Sequence, residues 1–149
     1  MLGAWLDFHR ATLLMKIDGV GDGELRRPMT QSGTNLLGMV KHLAYVERWW
    51  FQEVFAGRSM DYPWTDEDPD ADWRVESHET TGEIVALYRN ECDESHAILR
   101  ENLLDDLARH PGRSDFTLRW IALHMIEETA RHNGHADILR EMIDGSTGE

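Results

Sequence analysis

The chain has 149 residues, with 15 Lys plus Arg against 28 Asp plus Glu, a formal charge of −13. That length fits one domain, residues 1–149, closing a core without staples, and the acidic balance excludes a protein that grips nucleic-acid phosphates or anionic lipid through a basic surface. The lone cysteine, Cys92, excludes an internal disulfide and every multi-cysteine zinc or iron–sulfur motif.

In chain order, the first helix is expected from about Leu2 to Ile17, with Trp5, Leu6, Leu13 and Ile17 on its apolar side and Asp18-Gly19 closing it. Asp7, His9 and Arg10 interrupt the opening run, which therefore reads as helix and not as a secretory leader. The stretch from Val20 to Gly33 is glycine-rich, contains Pro28 and reads as a connection. A second helix runs from about Asn35 to Phe55, with Ser32 or Thr34 as cap and Gly57 as stop. A third runs from about Gly82 to Asn102, opened by a Thr80/Glu83 capping box. A fourth runs from about Thr117 to Ile143, with Ser114 or Asp115 as cap and Gly145 as stop. No segment alternates long enough for a strand, and none is apolar for the length a bilayer requires. The expectation is a cytoplasmic all-α protein without a membrane or nucleic-acid partner.

The connection from Arg58 to Glu79 is long and acidic, with Pro63, Pro69, Trp64 and Trp73. Loops of this length are often functional, and two readings stand: a solvated crossover, or a lid whose tryptophans cover a pocket. The length also lets the second and third helices run parallel.

The chemistry concentrates on the last helix. His124, Glu128, His132 and His135 fall at roughly 0°, 40°, 80° and 20° around the axis, one narrow stripe. Trp120, Ile121, Leu139 and Met142 fall at roughly −40°, 60°, 60° and 0°, so the polar residues lie within the apolar face. A carboxylate there needs a partner, either a metal ion or a hydrogen-bonded network. His42 repeats the pattern among Met39, Val46, Trp49 and Trp50 on the second helix. Two facing helices can bring His42 against Glu128 and His132, and two imidazoles with one carboxylate are a common ligand set for a catalytic divalent metal. Taken singly, His124 and His135 read as structural histidines, His9 as undistinguished, and His78, His96 and His110 as exposed.

Several motifs are missing: His-Glu-x-x-His, Glu-x-x-His, a phosphate loop, Gly-x-Gly-x-x-Gly and Gly-x-Ser-x-Gly. Cys92 is followed by Asp93 and Glu94, which would raise its pKa and argue against a nucleophile. No residue stands out as a general base.

The run Ser32-Gly33-Thr34-Asn35-Leu36-Leu37-Gly38-Met39-Val40-Lys41-His42-Leu43, then Val46-Glu47-Arg48-Trp49-Trp50, together with His124-Met125-Ile126-Glu127-Glu128-Thr129-Ala130-Arg131-His132-Asn133-Gly134-His135-Ala136-Asp137, resembles the DinB-like superfamily. More closely, it is similar to the actinobacterial branch labelled mini-circle proteins or mycothiol S-transferases. The resemblance covers nearly the whole chain. It implies a four-helix bundle in up-down-down-up order with a long link between helices two and three. It implies a divalent metal, zinc or nickel, held by His42, Glu128 and His132; the Glu-x-x-x-His form is similar to the mycothiol-dependent maleylpyruvate isomerase pattern. His135 falls where many relatives carry Gln, and homodimers are frequent.

Three functions follow as expectations. In the first, the metal holds a low-molecular-weight thiol, mycothiol by resemblance, as thiolate for attack on a small electrophile, with Trp49, Trp50 and the loop tryptophans walling the pocket. In the second, the same ligand set holds ferrous iron for oxygen chemistry. In the third, the chain is a non-catalytic dimeric metal-binding or stress-response bundle.

Overall fold

The computed structural model describes residues 1–147. Helix α1 is Leu2–Ile17, a short α2 is Asp22–Leu25, α3 is Leu36–Glu47, α4 is Thr81–Glu101 and α5 is Leu118–Asp144. Among the described residues there is no strand, only an isolated bridge pairing Leu107 with Thr117. Among the described residues no helix is long and apolar enough to cross a membrane.

The helix ends explain themselves locally. Thr80 and Glu83 form the expected capping box, and Gly145 closes α5 in the left-handed region at φ 77°. Two caps differ from expectation. Asn35, not Ser32 or Thr34, caps α3, its Oδ1 accepting from Gly38 N–H at 2.8 Å. The Thr30, Ser32 and Thr34 hydroxyls instead bond among themselves. Thr117, not Ser114 or Asp115, caps α5, because Ala108 N–H donates to Phe116 O and holds the approach extended, while residues Pro111–Arg113 form a 3-10 turn. The Val20–Gly33 connection contains α2, which periodicity did not reveal.

Beyond Glu47, α3 continues as a π-helix, Arg48–Phe55, where the regular pattern predicts an unbroken α-helix. The wider turn closes i→i+5 hydrogen bonds, including Ala56 N–H to Phe51 O at 3.0 Å. Phe51, Val54 and Phe55 are buried there, while Trp49 and Trp50 stay half-buried side by side.

Cross-links give the helix directions. Lys16 pairs with Asp137 at 2.6 Å, Asn133 Nδ2–H donates to His9 O, and Arg140 donates to Lys16 O, so α1 and α5 run the same way. Lys41 pairs with Glu79 at the head of α4, and further along Arg48 pairs with Glu91 and Arg58 with Glu94, so α3 and α4 also run together. His42 lies near Glu128 and His132, whereas Trp50 meets Trp120, so α3 and α5 are opposed. The parallel second and third long helices that the Arg58–Glu79 link permits are therefore present.

The interior has two apolar clusters. One holds Leu13, Leu37, Leu43, Tyr88 and Ala136; the other holds Leu6, Phe51, Ile98, Ile121 and Met125. Between them along every long helix sit the buried polar residues: Arg10 on α1, Glu47 on α3, Glu91 and Ser95 on α4, and Glu128, Thr129, His132 and Asn133 on α5. Arg10 grips Glu47 through two hydrogen bonds, 2.8 Å from Nε and 2.7 Å from Nη2. Burial works against the guanidinium charge, but Glu47 outweighs it and holds the Arg10 pKa above its ordinary value. Trp5, expected on the buried face, is 55 % exposed, and Arg10 takes interior space instead. Glu47→Ala should cost about 3–5 kcal/mol, because it leaves a buried guanidinium unpaired; denaturant titration of the variant beside the wild type measures it.

Candidate metal centre

Three side chains meet where α3 faces α5. One ligand atom from each of His42, Glu128 and His132 lies within 4.8 Å of the others, an arrangement that can hold a metal ion. His132 Nε2 is 3.2 Å from Glu128 Oε1, and His42 Nε2 is 4.0 Å from the same oxygen. Donors each about 2.0–2.1 Å from a zinc ion sit roughly 3–4 Å apart, so these separations suit one shared cation. The donor set fits as well. Two neutral imidazoles and one carboxylate supply three ligands and leave positions open. His132 presents Nε2 to Glu128, while its Nδ1 is buried without a hydrogen-bond partner.

A fourth residue completes the arrangement, and it comes from the Arg58–Glu79 connection. Asp72 Oδ2 is 2.7 Å from His42 Nδ1. With Nδ1–H donating to the carboxylate, Nε2 keeps its lone pair for the side that faces Glu128. Trp73, next in sequence, stacks on the His42 ring at 4.0 Å between centroids and 17° between planes. The loop reaches this far in because Gly38 has no side chain: a Cβ there would run into the carbonyl oxygen of Trp73. The sequence offered no spacing that singled out Asp72 from Asp66, Asp68 and Asp70 around it.

The electrostatics are mutual. Burial opposes charge on His42, but the bonds to Asp72 and Glu128 prevail and raise its pKa above that of ordinary imidazole. The hydrogen bonds from His132 and His42 hold the Glu128 carboxyl well below the usual carboxylate range. Arg131 pairs with the other Glu128 oxygen.

The remaining histidines are elsewhere. His135 is exposed, its ring 5.6 Å from that of His132, and His124 packs between Trp120 and Trp50. Neither joins the group. The buried arc of α5 runs through Leu118, Ile121, Met125, Glu128 and His132, with Trp120 41 % and Met142 59 % exposed, so it is turned away from the stripe that the wheel centres on. Glu128 lies at its edge and His132 just inside it. His110, expected in solvent, is half-buried against Trp49, and its Nδ1 accepts from Gly112 N–H. Cys92 has its thiol pKa raised chiefly by burial and then by Glu47; the expected contribution of Asp93 is small and that of Glu94 absent from the leading causes.

A cavity of about 450 Å³ opens beside His42 and Asp72, walled by Trp49, Trp50, Trp64 and Trp73. Trp64 and Trp73 of the loop thus line this cavity.

A family model described as mycothiol-S-transferase matches residues 1–145. The chain belongs to the mycothiol S-transferase family. That membership agrees with the DinB-like resemblance of the second and last helices. Among curated proteins, none matches the chain.

Two measurements test the geometry. Asp72→Ala should weaken metal affinity about 10–100-fold, the usual effect of removing the carboxylate behind a ligating histidine; competition with a chromophoric chelator reads it. In metal-free protein, a His42 pKa raised on folding adds stability below the unfolded value near 6.5 and loses it as pH climbs through the folded value. The stability gap between wild type and His42→Ala should therefore be wider at about pH 5.5 than at about pH 8.5, as equilibrium unfolding at the two pH values would reveal.

Proposed function

We propose that this chain is a metal-dependent thiol S-transferase, in which a divalent cation on His42, Glu128 and His132 activates a low-molecular-weight thiol for attack on a small electrophile. The observation that carries the reading is the convergence of those three donors, one of which, His42, lines a tryptophan-walled cavity, in a chain of the mycothiol S-transferase family. Family membership supports mycothiol as the thiol. The donor set supports zinc or nickel, with ferrous iron the alternative.

A bound cation would lower the thiol pKa into the neutral range and keep the sulfur as thiolate. The protein's own parts do the rest. Asp72 holds the tautomer of His42 that leaves Nε2 free. Glu128, kept ionised by the two imidazoles, offsets part of the cation's charge. The four tryptophans give the electrophile aromatic walls beside His42. No side chain of the cavity is assigned as general base, since a thiol already deprotonated needs none.

The same reading takes the chain as one DinB-type four-helix bundle in up-down-down-up order, which the shared direction of α1 with α5 and of α3 with α4 supports. It also takes the protein as a cytoplasmic homodimer; the free Cys92 suits a reducing compartment. A non-catalytic metal-binding bundle is the competing function.

Elemental analysis decides first. Wild type purified without chelator should hold close to one metal per chain, and His42→Ala and His132→Ala well under that. Conjugation assays with mycothiol and with other small thiols should then show wild-type turnover and losses of about a hundredfold or more in both variants, the scale expected when a Lewis acid is removed. Equal turnover in all three proteins would dispose of the transferase reading; full metal content with no thiol transfer would favour the non-catalytic bundle.

A further inference from the structure

The cavity at the metal centre carries charge of one sign. Its walls are Trp49, Trp50, Trp64 and Trp73, and its acidic lining is Asp70 and Asp72. Among the described residues, no lysine or arginine lines it. Arginines around it have partners of their own; Arg74, after Trp73 in the chain, pairs with Asp68 and Glu76. Arg131 pairs with Glu128 and Glu127, Arg48 with Glu91, and Arg113 lies over the Trp50 ring at 5.4 Å.

A substrate with its own carboxylate would need a cationic partner here. A divalent ion held by Glu128, with Asp72 behind His42, would have its charge largely offset on the side that faces the cavity, while Arg131 bonds the other Glu128 oxygen. A thiolate on that ion would add negative charge beside the cavity. Asp70, exposed at the cavity lining, adds a further repulsion toward any anion that enters. What the walls offer instead is aromatic surface: Trp73 stacks on His42, and Trp64 stacks on Tyr62 at 4.2 Å between centroids.

From this lining we infer that the electrophile taken by the site is neutral, flat and largely apolar, and that carboxylate-bearing electrophiles are turned away. The inference rests on the thiol-transfer reading for the word electrophile, but its test does not require turnover. Two unreactive probes of one shape suffice, 2-naphthylmethanol and 2-naphthoate, with binding to the metal-loaded protein followed by equilibrium dialysis.

The alcohol should bind about tenfold or more tighter than the carboxylate at low salt, since like charges in a partly desolvated site repel strongly. Asp70→Asn should narrow that gap by strengthening naphthoate binding alone. Trp64→Ala should weaken both probes. Asp70 is exposed, so its replacement leaves the interior intact. Naphthoate binding as tightly as the alcohol, or neither probe binding a protein whose circular dichroism is that of the folded chain, would overturn the inference. A preference for the alcohol supports it even where no thiol transfer is seen, an outcome that would remove the thiol-transfer reading alone. Tight naphthoate binding in a protein that does transfer thiols would remove this inference alone.

Discussion

A buried ionic layer crosses the interior of this protein, and the rest of the fold is arranged around it. Arg10 and Glu47 form its centre, with Glu47 0 % exposed and both of its oxygens bonded. Apolar side chains fill the space on either side, so the layer is held between two hydrophobic clusters. Such a pair adds little net stability compared with an apolar replacement, because desolvation of both ions offsets their attraction. It does set register: shifting any helix along its axis would drive a charged group into a hydrocarbon cluster. Glu128 and His132 lie at the same level on α5. The candidate metal centre therefore joins this layer to the cavity through His42, which lines it.

The second element of the design is the loop from the end of the π-helix to α4. It contributes no regular structure, yet it delivers Asp72 to the back of His42 and Trp73 to its ring face. Its approach depends on Gly38, one turn before His42 on α3. The loop is held from outside too. Lys41 bonds both Arg74 O and Glu79, and Arg26 reaches Glu79 O. A helix, a crossover and the short α2 thus share responsibility for one imidazole.

The π-helical segment bears on the cavity in a related way. Its wider turn seats Phe51, Val54 and Phe55 in the core while Trp49 and Trp50 remain on the cavity wall. At about 100° per residue an ordinary α-helix would also group Phe51, Val54 and Phe55 on one face with Trp49 and Trp50 outside it. Hydrophobic periodicity does not signal such a segment, because the pattern over eight residues fits either geometry. On α5 the wheel placed Trp120 and Met142 inward, but packing against α1 and α3 centres the buried arc elsewhere.

From the sequence alone came the four long helices, the capping box at Thr80, the stop at Gly145 and the grouping of His42 with Glu128 and His132. These rest on local rules: helical period, cap chemistry, and the need of a carboxylate among apolar residues for a partner. Tertiary structure alone decided that His124 and His135 stay outside the group, that Asp72 stands behind His42, and that Arg10 lies inside while Trp5 lies outside. Those outcomes depend on which way each helix is rotated and where a long loop lands. Rotation and landing are set by packing between segments far apart in the chain, which no single segment's pattern encodes.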